Sequence, residues 1–398
     1  MKISIRIFFL ILLSNNLFAQ GTIFGLEKYN LGIIRPNYSS AGLGRSFEVA
    51  DTDSLHLNYM NFATWTNISY TTYEVDALYT ASKSKDSNSN SYFRDYGSFQ
   101  GGFLALPIIP QKFVIGIGLQ PFIQMEHTVK DTIGDVSNDY TVIKGGLSRL
   151  TFNVSYKPIT SFGFGIGYEY NFGRIEELYR MQMIEYGDQF DMNFEYRFGG
   201  HGIVTSAFFK PSELYSIGVF YRLPVKMNYN IYSETGNSYI DDEILKKEMT
   251  LPTQLNIGAI VNLSRKLRLG ADVIYQNWKK GYKIEDNTIS NQSDYMRLGF
   301  GFELKESEKR FTSFFNTLNY RMGVFFGNQK VNNMDNSVRE YGLSMGVSLP
   351  LRRFIFRVDF SGLLGRRGNL SNNYYEENFL QFGISISTNE MWFFNIED

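Results

Sequence analysis

From about residue 67 onward the chain alternates apolar and polar residues one by one, in segments joined by turns that are tight, then long, then tight again. The tight connections are 107–112, 157–161, 210–213, 262–266 and 349–352. The long ones, rich in Asn, Ser and Asp, lie near 81–96, 129–139, 181–197, 231–246, 281–292, 328–337 and 365–376. Alternation with period two places one set of side chains on each face of a strand. An antiparallel sheet with short turns at one end and long ones at the other is the pattern of an outer-membrane β-barrel. A soluble sandwich has no reason to sort its loops in this way.

The two faces can be read segment by segment. In 162–172, Phe162, Phe164, Ile166, Tyr168, Tyr170 and Phe172 oppose Gly163, Gly165, Gly167, Glu169 and Asn171. In 295–304, Met296, Leu298, Phe300, Phe302 and Leu304 oppose Tyr295, Arg297, Gly299, Gly301 and Glu303, and 340–349 and 380–387 repeat the pattern. A slip of one residue would turn the polar set toward lipid, so the register is strongly specified. Fourteen such segments are expected: 67–80, 97–106, 112–128, 140–157, 161–180, 198–210, 213–230, 247–262, 266–280, 293–304, 314–327, 338–349, 352–364 and 377–388. Tyr221, Tyr275, Trp278, Tyr320 and Tyr341 fall at strand ends and suit interfacial girdles. The expected fold is all-β, a transmembrane antiparallel barrel of about 14 strands. An even count brings both chain ends to one side, with the tight turns in the periplasm.

Residues 1–19 read as a signal peptide: Lys2 and Arg6, then an apolar run, IFFLILL, then Leu17-Phe18-Ala19. The run is far short of the roughly 20 residues a membrane helix needs. Residues 20–66 lack sustained alternation and are expected to form a hatch in the lumen of a barrel built from 67–398. Composition agrees, with Gly 36, Phe 35 and Tyr 27 against Pro 9. A net charge of -1 excludes the basic field that nucleic acid requires. The absence of Cys removes disulfides and thiolate chemistry, and His56, His127 and His201 are too scattered for a metal site, so no metal or other cofactor is expected.

Several motifs resemble the FadL/TodX-type outer-membrane transporters of long-chain fatty acids and other hydrophobic compounds. Ser40-Ala41-Gly42-Leu43-Gly44-Arg45-Ser46, Ala50-Asp51 and Leu57-Asn58-Tyr59-Met60-Asn61-Phe62-Ala63 resemble the family's hatch, whose glycine-rich start leads to an Asn-Pro-Ala motif. Asn58 matches the Asn; Tyr59 and Met60 stand where the Pro and Ala would be. Leu251-Pro252-Thr253, the Asp272-to-Trp278 hairpin and Tyr320-Arg321-Met322-Gly323-Val324 resemble its strand motifs. The resemblance marks Gly42, Gly44 and Asn58 as hatch residues. It implies a monomeric outer-membrane channel that passes a hydrophobic small molecule or fatty acid through a luminal site and out sideways, at a kink in the third strand. Surrounding outer-membrane lipid and the barrel assembly machinery are the other implied partners. The third segment carries Gly116, Gly118 and Pro121, either a wall opening or a bulge near the rim.

For an anionic amphiphile the lumen would need cations. Alternation turns Arg149, Arg222, Arg297, Arg321 and Arg357 inward, together with Glu169, Asp272, Glu303 and Asp359. Arg149, Arg297, Arg321 and Arg357 are therefore candidate ligand contacts, and pairing with the acids across the lumen is the competing role that buried charges favour. A FadL-like barrel acting as a scaffold or shuttle in type IX protein secretion is the alternative function; the apolar tip residues Met181, Met183, Ile184, Tyr186 and Phe190 favour a hydrophobic ligand. A lipid hydrolase would draw on His201 with Ser206, or on His127, without any nucleophile signature, so no enzyme is expected. Glu185, Asp188 and Asp191 are read as a solvated face before a Ca²⁺ site. The last strand ends near 388 or runs into 391–398.

Overall fold

In the computed structural model the alternating segments close on themselves. The structure describes residues 33–35, 38–87, 89–133, 137–183, 189–235, 243–288, 293–307, 313–329, 337–352, 355–373 and 375–390. Residues 1–19, expected as a signal peptide, and the tail 391–398 lie outside them. Fourteen wall strands follow in chain order. They are β1 Thr71–Asp86, β2 Ser91–Ile109, β3 Phe113–Ile133, β4 Ser137–Ile159, β5 Phe162–Met183, β6 Gln189–Phe209 and β7 in two pieces, Tyr215–Arg222 and Val225–Thr235. Then come β8, also in two pieces, Glu243–Leu251 and Gln254–Asn262, β9 Leu267–Gln276, β10 Tyr295–Leu304, β11 Asn319–Gln329, β12 Val338–Arg352, β13 Phe356–Gly368 and β14 Tyr375–Glu390. Neighbours in sequence pair antiparallel, and β14 closes the barrel on β1 from Tyr375↔Asp86 to Glu390↔Thr71. No helix among the described residues is long and apolar enough to cross a membrane; the strands span it instead.

Outward positions carry Ile117, Phe164, Ile166, Met322, Leu343, Phe360 and Phe382, while inward positions carry Ser155, Asn171, Glu303, Arg321 and Ser385. Tyr221, Tyr275 and Tyr341 are exposed on the wall as expected of a girdle, but Trp278 is buried. β9 stops at Gln276, and the short helix Trp278–Gly281 turns Trp278 inward, its ring tilted against that of Tyr282. Proline explains the two broken strands. Pro224 and Pro252 offer no N–H to the ladder, and pairing resumes on either side with Val225↔Leu251 and Arg222↔Gln254.

The wall is uneven in height. β3 to β6 run for 21, 23, 22 and 21 residues, whereas β9 and β10 have 10 each. About 9–11 residues suffice to cross a bilayer. Much of 81–96, 129–139 and 181–197, expected as loop, is therefore strand standing above the apolar band. The alternation that reveals a strand in lipid disappears there, because both faces meet water. Cross-strand ion pairs replace it: Lys144–Glu176, Arg174–Glu195 and Arg180–Asp191, each at 2.9 Å. Asp191 is thus partnered by Arg180, whereas Glu185 and Asp188 lie outside the described residues. At the opposite end the turns are tight except for 305–318, which holds a 3-10 turn, Phe314–Thr317.

The N-terminal segment fills the lumen, and nearly every residue from 38 to 66 is buried. Its helix α1, Ser40–Arg45, lies against β10 to β14, and a 3-10 helix, Phe62–Asn67, lies against β3 to β6. Both start on side-chain caps: Ser39 accepts from the Gly42 N–H and Asn61 from the Ala63 N–H. Leu57, Tyr59, Phe62 and Trp65 pack on Phe103, Val114, Val204 and Phe220 of the wall.

Candidate functional site

Two sets of wall residues hold this hatch. On one side, four arginines and four acids form a closed ionic network. Arg45 of the hatch bonds Asp51, and its Nη1 reaches Glu303 at 2.9 Å. Arg268 pairs with Asp51 at 2.7 Å and with Glu303. Arg321 bridges Glu303 at 2.8 Å and Asp359 at 2.7 Å, and Arg357 lies 3.3 Å from Asp359 and 3.8 Å from Asp53. His56 joins the network as well, with Nε2 2.9 Å from the Asp51 carboxylate and Nδ1 3.8 Å from that of Asp53. Burial pushes the Asp51 carboxyl up, but Arg268 and Arg45 beside it hold it well below the ordinary carboxylate range. Burial also works against Asp53, yet His56, Lys305 and Arg357 bring it down to about 2.

On the other side the wall offers carboxylates and the hatch answers with backbone N–H groups. Asp272 accepts from the N–H groups of Glu48 and Val49 at 2.5 and 3.0 Å. Glu74 accepts from the Leu57 N–H at 2.7 Å, and Asp76 from the Ser40 N–H at 2.9 Å and from the Tyr59 hydroxyl. Glu48 accepts from the Ser39 N–H at 3.0 Å and its hydroxyl at 2.5 Å. No ion pair is recorded for these four acids among the described residues. Burial pushes Glu48 up to about 8.

The three hatch residues singled out from the sequence all sit here. A side chain on Gly42 would strike the Glu48 carboxylate, and one on Gly44 would come within 2.9 Å of the Gly346 backbone. Asn58 ties the hatch to itself: its amide donates to the carbonyls of Glu48 at 2.7 Å and Asp51 at 3.2 Å, and its oxygen accepts from the Met60 N–H at 2.9 Å. Asp51 and Arg45 have no facing in the sequence, because the hatch has no periodicity; Arg268 of β9 shares the inward face of Asp272, and only its partners show that it belongs to the site.

The candidate wall opening has a definite geometry. The β2–β3 ladder ends at Gly102↔Leu119, although β3 stays paired with β4 as far as Ile133↔Ser137. Beyond that point the described strands β2 and β3 are not bonded to each other. Pro121 lies just past the last pair, at a register shift between Pro121 and Ile123. Gly116 and Gly118 lie below it, where the ladder is intact, and they make room for the Trp65 and Phe103 rings. A two-residue strand, Ile33–Ile34, pairs with Gln124 and Ile123 on the open edge of β3.

The inward arginines are all partnered. Arg149 stacks on Phe122 at 3.8 Å and donates to Asn171 at 3.4 Å; Arg222 donates to Glu169 at 2.7 Å; Arg297 pairs with Glu340 at 2.9 Å and stacks on Phe325 at 3.9 Å. Two interior cavities adjoin them, of only about 60 and about 20 Å³. His201 and Ser206 cannot act together: His201 faces outward against Tyr168 and Tyr170, while Ser206 faces inward and accepts from the Ala63 N–H at 2.9 Å. The side chain of His127 lies outside the described residues.

A family model, BamG, matches residues 1–396. The chain belongs to the BamG family. No curated protein matches it. Among solved structures, this BamG-family barrel is similar to a FadL homologue of Pseudomonas aeruginosa, at 15% identity and a TM-score of 0.62, over 90% of this chain and 99% of that one. It is similar to the toluene transporter TbuX of Ralstonia pickettii, at 12% and 0.60, over 88% and 98%. The CymD monoaromatic hydrocarbon channel matches at 13% and 0.54, over 92% and 100%. The FadL-type resemblance seen in the motifs thus holds for the fold.

Proposed function

We propose that this BamG-family chain is a non-enzymatic outer-membrane component that works with the barrel assembly machinery, whose prefix the family name bears. The observation that carries this reading is the filled lumen. A hatch clamped by an ionic network and by backbone bonds leaves cavities of about 60 and 20 Å³ and, beside Asp51 to Ser54 at the tight-turn end, a polar one of about 190 Å³, against the roughly 300 Å³ or more of an ordinary ligand pocket. A closed barrel with strands standing above the membrane suits a scaffold whose tight-turn end faces the periplasm. The decisive measurement is depletion of the protein, followed by quantitation of folded outer-membrane barrels. A fall in several unrelated barrels is expected, and unchanged levels would remove the assembly role.

The end of the β2–β3 ladder at Gly102 and Leu119 favours a second reading, passive uptake of a hydrophobic compound such as a long-chain fatty acid, with sideways release at Pro121. The two solved relatives described as a toluene transporter and a monoaromatic hydrocarbon channel are consistent with it. Uptake of labelled long-chain fatty acid by a strain lacking the gene, with and without its restoration, separates the two: equal uptake leaves assembly alone.

A further inference from the structure

The lipid-facing side of the wall is not uniform. On β12, β13, β14 and β1 the outward side chains carry no charge through most of the wall, then turn polar at one level near the long-loop end. Register sets that level: Tyr341, Arg366, Asn378, Lys83 and Phe93 stand side by side across β12, β13, β14, β1 and β2. The row beneath reads Leu343, Leu364, Leu380 and Ala81. A groove of about 570 Å³ opens on the outer surface over these two rows, with Tyr341 and Phe93 at its flanks. Phe93 is 70% exposed in the polar row, and Leu343 and Leu364 are exposed below it. Lys85 and Arg339 stand two residues above Lys83 and Tyr341 on the same face, which brings four cations to the upper membrane boundary.

Two acids share that face. Glu376 pairs with Arg366 at 2.6 Å, and Asp95 accepts from the Tyr79 hydroxyl at 2.9 Å. Lys83, Lys85 and Arg339 enter no ion pair among the described residues. On β4 to β6, by contrast, Lys144, Arg174 and Arg180 each have a carboxylate partner. Lysine and arginine lay their stems on an apolar wall and hold their charge at the headgroup level, where cations draw anionic lipid. Arg366 and Lys83 are two strands apart, about 10 Å, so both long side chains reach one headgroup placed over Asn378. We propose that this face holds a phosphorylated, multiply acylated lipid of the outer leaflet. Its phosphate lies among Lys83, Lys85, Arg339 and Arg366, and its acyl chains lie on Leu343, Leu364 and Leu380. The surplus of cations argues for a phosphate rather than a zwitterionic headgroup, and the apolar row directly beneath argues for a lipid rather than a free anion. The face is the same whether the barrel serves assembly or uptake.

The test uses the full chain in detergent, titrated in native mass spectrometry with diphosphorylated lipid A, with its dephosphorylated form and with phosphatidylcholine. The diphosphorylated probe alone is expected to leave a stable adduct. Lys83→Gln with Lys85→Gln is expected to weaken that adduct about tenfold or more, the loss of two cations beside an anionic headgroup. Leu364→Ser is expected to weaken it several-fold, and Lys144→Gln, on the opposite sector, to leave it unchanged. Heat-modifiable migration in gels verifies that each variant is a folded barrel. No adduct with the wild-type chain, equal retention of the dephosphorylated probe, or unchanged retention in the double lysine variant overturns the proposal. An equal loss in Lys144→Gln also overturns it, because the attraction is then diffuse. A lipid-free mass of two chains, split by the Leu364→Ser change, assigns the face to a second copy instead.

Discussion

The hatch is fastened by two opposite chemistries. Toward β9 to β13, Arg45, Asp51 and Asp53 enter a network in which wall and hatch both supply full charges. Toward β1 and β9, Glu74, Asp76 and Asp272 of the wall meet backbone N–H groups that carry only partial charge. The ionic side is self-neutralising, so breaking one link strands its partners in a medium that cannot solvate them. The amide side holds acids without cations, so it is sensitive to whether those acids are charged. One fastening is firm, the other conditional.

The largest effect should come from the ionic side. Arg321→Met leaves Glu303 and Asp359 short of a cation and is expected to cost about 3–5 kcal/mol. Thermal melting in detergent, with limited proteolysis of the hatch, reads this; a change under about 1 kcal/mol would put the network on a par with a surface pair. On the amide side, Asp272→Ala removes the acceptor of two N–H groups and should cost about 1–3 kcal/mol. A loss equal to that of Arg321→Met would erase the distinction between the two sides.

The conditional side also predicts a pH response. Glu48 rises from an ordinary 4.5 to about 8 in the folded state. The folded chain therefore holds a proton that the unfolded chain has released, and stability falls as pH rises from 4.5 toward 8. Hatch protection against protease should be greater at pH 6 than at pH 9, and Glu48→Gln should flatten the difference. Asp53 has the opposite sign: its folded value of about 2 gives stability that is present above 3.8 and lost as pH falls toward 2. The smallest effect belongs outside the lumen. Arg180→Ala, which removes the exposed pair with Asp191, should change melting by no more than about 1 kcal/mol.

Much of the wall was legible because lipid enforces a period. Phe164, Phe300, Met345 and Phe382 faced outward, and Arg149, Arg321 and Glu303 inward, as alternation required. Where lipid ends, so does the signal, and the upper parts of β3 to β6 passed for loops. Trp278 passed for a girdle residue because nothing local says that β9 stops at Gln276. The hatch motifs include Arg45 and Asp51 but mark only Gly42, Gly44 and Asn58 as hatch residues. Charges in an aperiodic segment have no face until their partners, more than two hundred residues away at Arg268 and Glu303, are brought to them.

The sequence by itself determined an alternating, all-β wall and an N-terminal segment without that alternation, because period and turn length are local properties. The tertiary structure decided that the segment is clamped rather than loose, that the inward arginines already have partners, and that the β2–β3 ladder stops at Gly102 and Leu119. The physical reason is range. A strand's facing is set within a few residues, whereas the neutrality of a buried charge and the pairing of a sheet edge depend on groups that only closure of the barrel brings within a few ångströms.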